Sequence, residues 1–132
     1  MGKYRSWQNA SRRSNFEDRV EDALKHLDVK YEYESVKLKY ELPATVHTYC
    51  PDFRIGEFAF IEAKGEFTPA DRKKMLAVQE QYPKVKIYML FQKAGNTLSK
   101  KSKTTYRDWC NKNGFESADF SEKEIWTEWL KS

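Results

Sequence analysis

Asp52, Glu62 and Lys64 form the pattern PD…ExK, with Asp52 preceded by Pro51 and Glu62 ten positions further on. Two carboxylates are hard oxygen donors of the kind that hold Mg²⁺, an ion that keeps several of its waters. A metal held there lowers the pKa of a bound water and screens the charge of a phosphate. A neighbouring lysine can orient or deprotonate the nucleophile, or stabilise charge that develops on the phosphorus oxygens. The chemistry such a set could do is phosphodiester hydrolysis. The same short pattern also fits a surface hairpin with an exposed Glu/Lys pair, so the spacing alone does not decide.

The local sequence predicts the hairpin that would gather these groups. Asp52–Ile55 reads as a short strand, Gly56-Glu57 as a turn and Phe58–Lys64 as a second strand. Alternate residues of a strand share a face, which puts Phe58, Phe60, Glu62 and Lys64 on one side and Ala59, Ile61 and Ala63 on the other.

The remaining chain supplies elements to support it. Ser14-Asn15-Phe16-Glu17 has the form of a capping box, and Phe16, Val20, Ala23, Leu24 and Leu27 recur at helical spacing. Glu17 has two readings, as helix cap or as a third carboxylate of a metal site. Tyr31–Leu42 reads as one long strand with Val36, Leu38, Tyr40 and Leu42 on one face. Pro43 ends it and Pro43–Thr48 reads as a link carrying His47, a residue with either a structural or a phosphate-contacting role. Thr68-Pro69-Ala70-Asp71 opens a helix to about Gln81, with Met75, Leu76, Val78 and Tyr82 as its apolar face. Arg72, Lys73 and Lys74 crowd its first turns, where positive charge opposes the helix dipole; a ligand-binding role and a solvated face both fit.

Val85–Phe91 reads as a buried strand and Gln92–Lys103 as a polar loop with Lys93, Lys100, Lys101 and Lys103. Thr105–Asn113 reads as a short helix ended by Gly114. Ser121-Glu122-Lys123-Glu124 suggests a second capping box, before a terminal helix with Ile125, Trp126, Trp129 and Leu130. The order of elements fits an α/β domain with a mixed central sheet flanked by helices.

At 132 residues the chain is expected to be one domain, and its 15% aromatic content is not that of a disordered chain. The net charge of +4 favours a polyanionic partner. Residues 1–13 carry Lys3, Arg5, Arg12 and Arg13 and no acid, as a flexible basic arm for phosphate contact or a plain solubilising tail would. No stretch approaches the roughly 20 apolar residues of a membrane span, and the N-terminus lacks the apolar run of a secretory signal. Cys50 and Cys110 make no metal-type spacing and are expected as free thiols.

Beyond PD…ExK, an ordered set of segments resembles the phage endonuclease I family of Holliday junction resolvases. The set runs through Arg13-Ser14, Glu17-Asp18, Tyr31-Glu32-Tyr33-Glu34, Pro43-Ala44, His47-Thr48-Tyr49, Pro51-Asp52-Phe53, Glu62-Ala63-Lys64-Gly65, Asp71-Arg72-Lys73-Lys74, Trp126 and Glu128-Trp129. The resemblance implies a restriction-endonuclease-like PD-(D/E)xK fold in a domain-swapped homodimer. In it, residues 14–42 of the 14–132 nuclease domain would cross between subunits through a bridge at 43–48. It implies Glu17, Asp52 and Glu62 as metal ligands and catalytic groups, and Lys64 as the active-site lysine. The implied cofactor is Mg²⁺, with Mn²⁺ substituting. The implied substrate is branched DNA, foremost four-way junctions, cut in pairs in the cytoplasm of an infected bacterium. Lys3, Arg5, Arg12, Arg13, His47, Arg72, Lys73, Lys74, Lys100, Lys101 and Lys103 are the expected DNA contacts. A nuclease of the same fold acting on linear duplex, and a non-catalytic branched-DNA-binding protein, are the alternative readings. The chain departs from the family at Cys50, where a hydroxyl residue is usual, in Phe67–Ala70, and in a shorter tail after Lys131.

Overall fold

The computed structural model describes residues 15–42 and 45–131, and of Thr45 the backbone. The elements in chain order are α1 (Asn15–His26), β1 (Glu32–Tyr33), β2 (Leu38–Leu42), β3 (Thr45–Tyr49), β4 (Phe53–Gly56) and β5 (Ala59–Lys64). They continue with α2 (Pro69–Gln81), β6 (Lys86–Phe91), α3 (Tyr106–Asn113), β7 (Glu116–Asp119) and α4 (Lys123–Trp126), which runs into a 3₁₀ turn at Thr127–Lys131.

Five strands make one mixed sheet in the order β1-β4-β5-β6-β7. β4 pairs antiparallel with β1 and β5, while β5, β6 and β7 run parallel. The parallel pairs need crossovers, which α2 supplies between β5 and β6, and α3 between β6 and β7. β2 and β3 form a separate antiparallel ribbon.

The sheet is buried on both faces, and β6 shows how. Ile87, Met89 and Phe91 pack into one core with Met75 and Val78 of α2, Cys110 of α3, and Tyr40 and Tyr49 of the ribbon. Leu90 points the other way into a second core, with Phe16, Val20 and Leu24 of α1 and Trp126 and Trp129 of the terminal segment. A run of apolar residues without alternation is what a doubly covered parallel strand requires. The ribbon lies over α2, tied by Gln81 to the backbone of Glu41 in both directions (2.7 and 2.6 Å) and by Tyr82 Oη to the Lys39 carbonyl (2.5 Å).

Two helices start on capping boxes, the first as its sequence predicts and the second at Thr105, a residue the sequence pattern places inside the helix. Thr68 and Asp71 cap α2 reciprocally at 3.1 and 3.0 Å, and Thr105 and Asp108 cap α3 in the same way. Gly114 ends α3 at φ +80°, a conformation that costs glycine little.

Several expectations are corrected. Tyr31–Leu42 is two strands in two different sheets: Glu34 adopts φ +48° and donates its N–H to the Asp52 carbonyl at 3.0 Å, turning the chain away from β4. From Thr45 onward the supposed link is a strand, β3, with Leu42 opposite Thr45. Phe58 falls in the turn and is half exposed. Leu27 lies past the end of α1 and Leu76 on the open side of α2, both exposed. Ser121 caps nothing: its hydroxyl and N–H both donate to Asp119, and α4 starts without a side-chain cap. β7, Glu116–Asp119, is a strand that the sequence pattern does not predict. Ser14, with its cap, and the arm cations Lys3, Arg5, Arg12 and Arg13 lie outside the described residues. Cys50 and Cys110 are free thiols. Among the described residues no helix is long and apolar enough to cross a membrane.

Candidate active site

The centre of the site is β5, the middle strand of the sheet. Antiparallel pairing with β4 sets Phe53 opposite Ile61, so Asp52, just before β4, comes alongside the far end of β5. There its Oδ2 accepts the Ala63 N–H at 2.9 Å, which fixes the carboxylate beside the Glu62-Ala63-Lys64 segment. Glu62 is only 3% exposed. Its Oε1 accepts the Tyr49 hydroxyl at 2.7 Å, and its Oε2 lies 3.5 Å from Lys64 Nζ. Lys64 Nζ is also 3.3 Å from Oδ1 of Asp71, the residue that caps α2.

α1 and the bend after β1 bring two more carboxylates. Glu17, in the first turn of α1, accepts the Tyr33 hydroxyl at 3.2 Å. One oxygen each of Glu17, Glu34 and Asp52 lie within 4.8 Å of one another, close enough to share a metal ion. Glu62 is not in that trio, but its charge acts on Asp52.

The electrostatics follow from crowding negative charge in a desolvated place. Burial, then the charges of Glu62 and Glu17, hold the Asp52 carboxyl well above the ordinary range, against the opposing Ala63 N–H and Lys64. Burial raises Glu62 too, opposed by Lys64, the Tyr49 hydroxyl and Lys74. For Lys64, burial acts against the ammonium, but Glu62, Asp71 and Asp52 outweigh it and raise its pKa. Lys64 is thus a cation at neutral pH, suited to stabilising phosphate charge rather than to taking a proton. Burial, then the charges of Glu34, Asp52 and Glu62, push the Cys50 thiol up to about 11. Cys50 is therefore a neutral thiol at pH 7, and the donor set is one of hard carboxylate oxygens. That set fits Mg²⁺ or Mn²⁺, and a divalent cation there would relieve the repulsion that raises Asp52.

All four positions of the expected site, Glu17, Asp52, Glu62 and Lys64, converge, and they do so within one chain. Sequence reasoning passed over Glu34, Tyr49 and Asp71. Tyr49 stands two residues before Pro51, but no spacing rule assigns it a partner. Glu34 comes in only through its left-handed bend, and Asp71 through a capping role that hides a second one.

The expected DNA contacts are dispersed. Lys74 Nζ lies 5.5 Å from the centre of the Tyr49 ring, next to the carboxylates. Arg72 donates to the Phe67 carbonyl at 2.6 Å and braces the turn before α2, whereas Lys73 is exposed. His47 is on the ribbon, stacked on Tyr40 with ring centres 5.3 Å apart. Lys100, Lys101 and Lys103 are exposed on the loop between β6 and α3. A groove of about 550 Å³ under the ribbon is lined by Lys39, Glu41, Val46, Gln81 and Tyr82, none of them a site carboxylate.

The whole chain, residues 1–132, matches the Phage endonuclease I family. Endonuclease I of Escherichia phage T7 is 41% identical over 119 residues, covering 90% of this chain and 78% of that protein. Endodeoxyribonuclease 1 of Enterobacteria phage T3 is 38% identical over 115 residues, covering 87% and 76%. With carboxylates, lysine and sheet in the arrangement described, the chain belongs to the Phage endonuclease I family.

Proposed function

We propose that this protein is a divalent-metal-dependent endodeoxyribonuclease that hydrolyses phosphodiesters in branched DNA, foremost four-way junctions. The observation that carries the reading is the buried Asp52 and Glu62 pair, joined by Glu17 and Glu34 on one side and by the Lys64 ammonium on the other. The names of its phage relatives, an endonuclease and an endodeoxyribonuclease, supply the substrate class.

Glu17, Glu34 and Asp52 lie close enough to share the cation, and Glu62, beside Asp52, would complete its ligand set. When bound, Mg²⁺ activates water at neutral pH and offsets charge on the phosphate. This chain's own residues do the rest. Asp52 is anchored through the Ala63 N–H, so its other oxygen is left for a ligand. Lys64, held between Glu62 and Asp71, is poised to donate to a non-bridging phosphate oxygen as charge builds there. The exposed lysines and the ribbon give contacts to backbone phosphate, so selectivity would rest on the shape of the DNA rather than on base edges.

Two sites on one dimer would make paired cuts in opposed strands. We further infer that the dimer forms by exchange of α1, β1 and β2. Exchange would keep the Glu17–Asp52 approach while drawing its two halves from different chains.

The test is an immobile four-way junction against a linear duplex of the same sequences, with Mg²⁺ or EDTA, read on a denaturing gel. Paired Mg²⁺-dependent cuts ending in 5′-phosphate on the junction support the proposal. Equal cutting of both substrates makes the protein a general nuclease. A band shift without cleavage makes it a binding protein.

A further inference from the structure

We infer that Tyr49 is a positioning residue for the cation-binding carboxylate Glu62, and that through it the β2–β3 ribbon becomes part of the metal site. This inference rests on the nuclease reading.

The geometry singles out one hydrogen bond. Tyr49 is the last residue of β3, in the ribbon, whereas Glu62 is in β5 of the main sheet. The two meet through the phenol, which donates to Glu62 Oε1 at 2.7 Å. Tyr49 is 2% exposed and Glu62 3%, so water has little access to replace the bond. Lys64 is the other partner, on Oε2 at a looser 3.5 Å. With Oε1 tied to the ribbon, the carboxylate has one orientation. Without that tie it can rotate about its last torsion, a broad and roughly two-fold one, and close fully onto Lys64.

Tyr49 is in turn well held. Its ring packs in the core with Met75 and Val78 of α2, and Lys74 of α2 lies over its face. Groups that hydrogen-bond to a metal-binding carboxylate set its orientation, and their loss typically costs about 10–100-fold in metal affinity or activity.

The experiment compares wild type, Tyr49→Phe, Glu62→Gln and the double variant. Mn²⁺ binding is measured by calorimetry without DNA, junction cutting across a Mg²⁺ series, and melting in EDTA. We expect Tyr49→Phe to weaken Mn²⁺ binding about 10-fold or more. Half-maximal Mg²⁺ should rise by the same factor, and the rate at saturating Mg²⁺ should recover toward wild type. Junction affinity in EDTA should be unchanged, and the double variant should bind Mn²⁺ no worse than Glu62→Gln alone. A lowered melting temperature with unchanged Mn²⁺ affinity and Mg²⁺ midpoint would show a packing role and overturn the inference. So would additive losses in the double variant. A wild type that neither binds Mn²⁺ nor cuts DNA would overturn the inference together with the nuclease reading.

Discussion

Lys64 is enclosed by Glu62, Asp71 and Asp52, and their joint charge keeps it an ammonium despite its burial. A group so placed lowers the barrier through charge and leaves ground-state DNA binding to other residues. Lys64→Ala should therefore slow cutting on the order of 10²–10³-fold, the usual loss on removing one oxyanion donor. Band shifts in EDTA should show unchanged junction affinity. Cutting at the wild-type rate would remove Lys64 from the mechanism. Asp52 makes the complementary case. Its folded-state pKa is raised, so in EDTA the folded protein keeps a proton that the unfolded chain gives up as pH climbs past about 3.9. Stability is lost over that window, up to the raised pKa. Asp52→Asn carries no such charge and can still accept from the Ala63 N–H. It should melt above wild type at pH 8 in EDTA, with the gap closing toward pH 4. Mg²⁺ should raise the melting temperature of wild type far more than that of the variant. An Asp52→Asn protein no more stable than wild type at pH 8 would contradict the crowded-charge account.

The loop between β6 and α3 places Lys100, Lys101 and Lys103 in solvent. If they contact phosphates, each releases about 0.9 counterion from duplex DNA. Replacing all three by Ala should weaken junction binding and flatten the slope of log affinity against log salt by up to about 2.7. Fluorescence anisotropy across a salt series measures this, and an unchanged slope would assign DNA contact elsewhere. At the level of elements, what could be read in advance divides by physical signal. α2 announces its start through Thr68-Pro69-Ala70-Asp71 and α3 its end through Gly114, because caps and stops are local chemistry. β6 is visible as an apolar run. β3 is hidden because Pro43 reads as a stop, and its Thr-Val-His-Thr-Tyr sequence then looks like a link. β7 is hidden because Ala118 is its one buried residue. The break between β1 and β2 turns on the left-handed Glu34, a conformation uncommon outside glycine and unmarked in sequence. The site followed the same rule. Asp52, Glu62 and Lys64 stand out by their spacing on one hairpin, but spacing alone does not separate them from a surface Glu/Lys pair. Family resemblance was needed for Glu17, since α1 reaches the site only through tertiary packing. Tyr49 and Asp71 depend on contacts across elements, which spacing along the chain does not carry.

At the scale of the whole molecule, the decisive question is which chain supplies Glu17. In the described chain Glu17 and Asp52 approach one another directly. An exchange of α1, β1 and β2 between two copies would build the same approach from different chains, and mixing variants separates the cases. Glu17→Gln and Asp52→Asn should each abolish cutting alone. In a heterodimer formed with exchange, one site combines the intact Glu17 of one chain with the intact Asp52 of the other, while the second site carries both substitutions. Without exchange, every site carries one substitution. Coexpression with random pairing makes half the dimers mixed, so exchange restores roughly a quarter of wild-type sites. Because each mixed dimer has a single working site, a supercoiled plasmid extruding a cruciform should be nicked rather than linearised. Purifying the mixed dimer through two different affinity tags and scoring nicked against linear product gives the answer directly. Recovered nicking establishes the exchanged dimer, and persistent inactivity of a verified heterodimer establishes that each chain completes its own site.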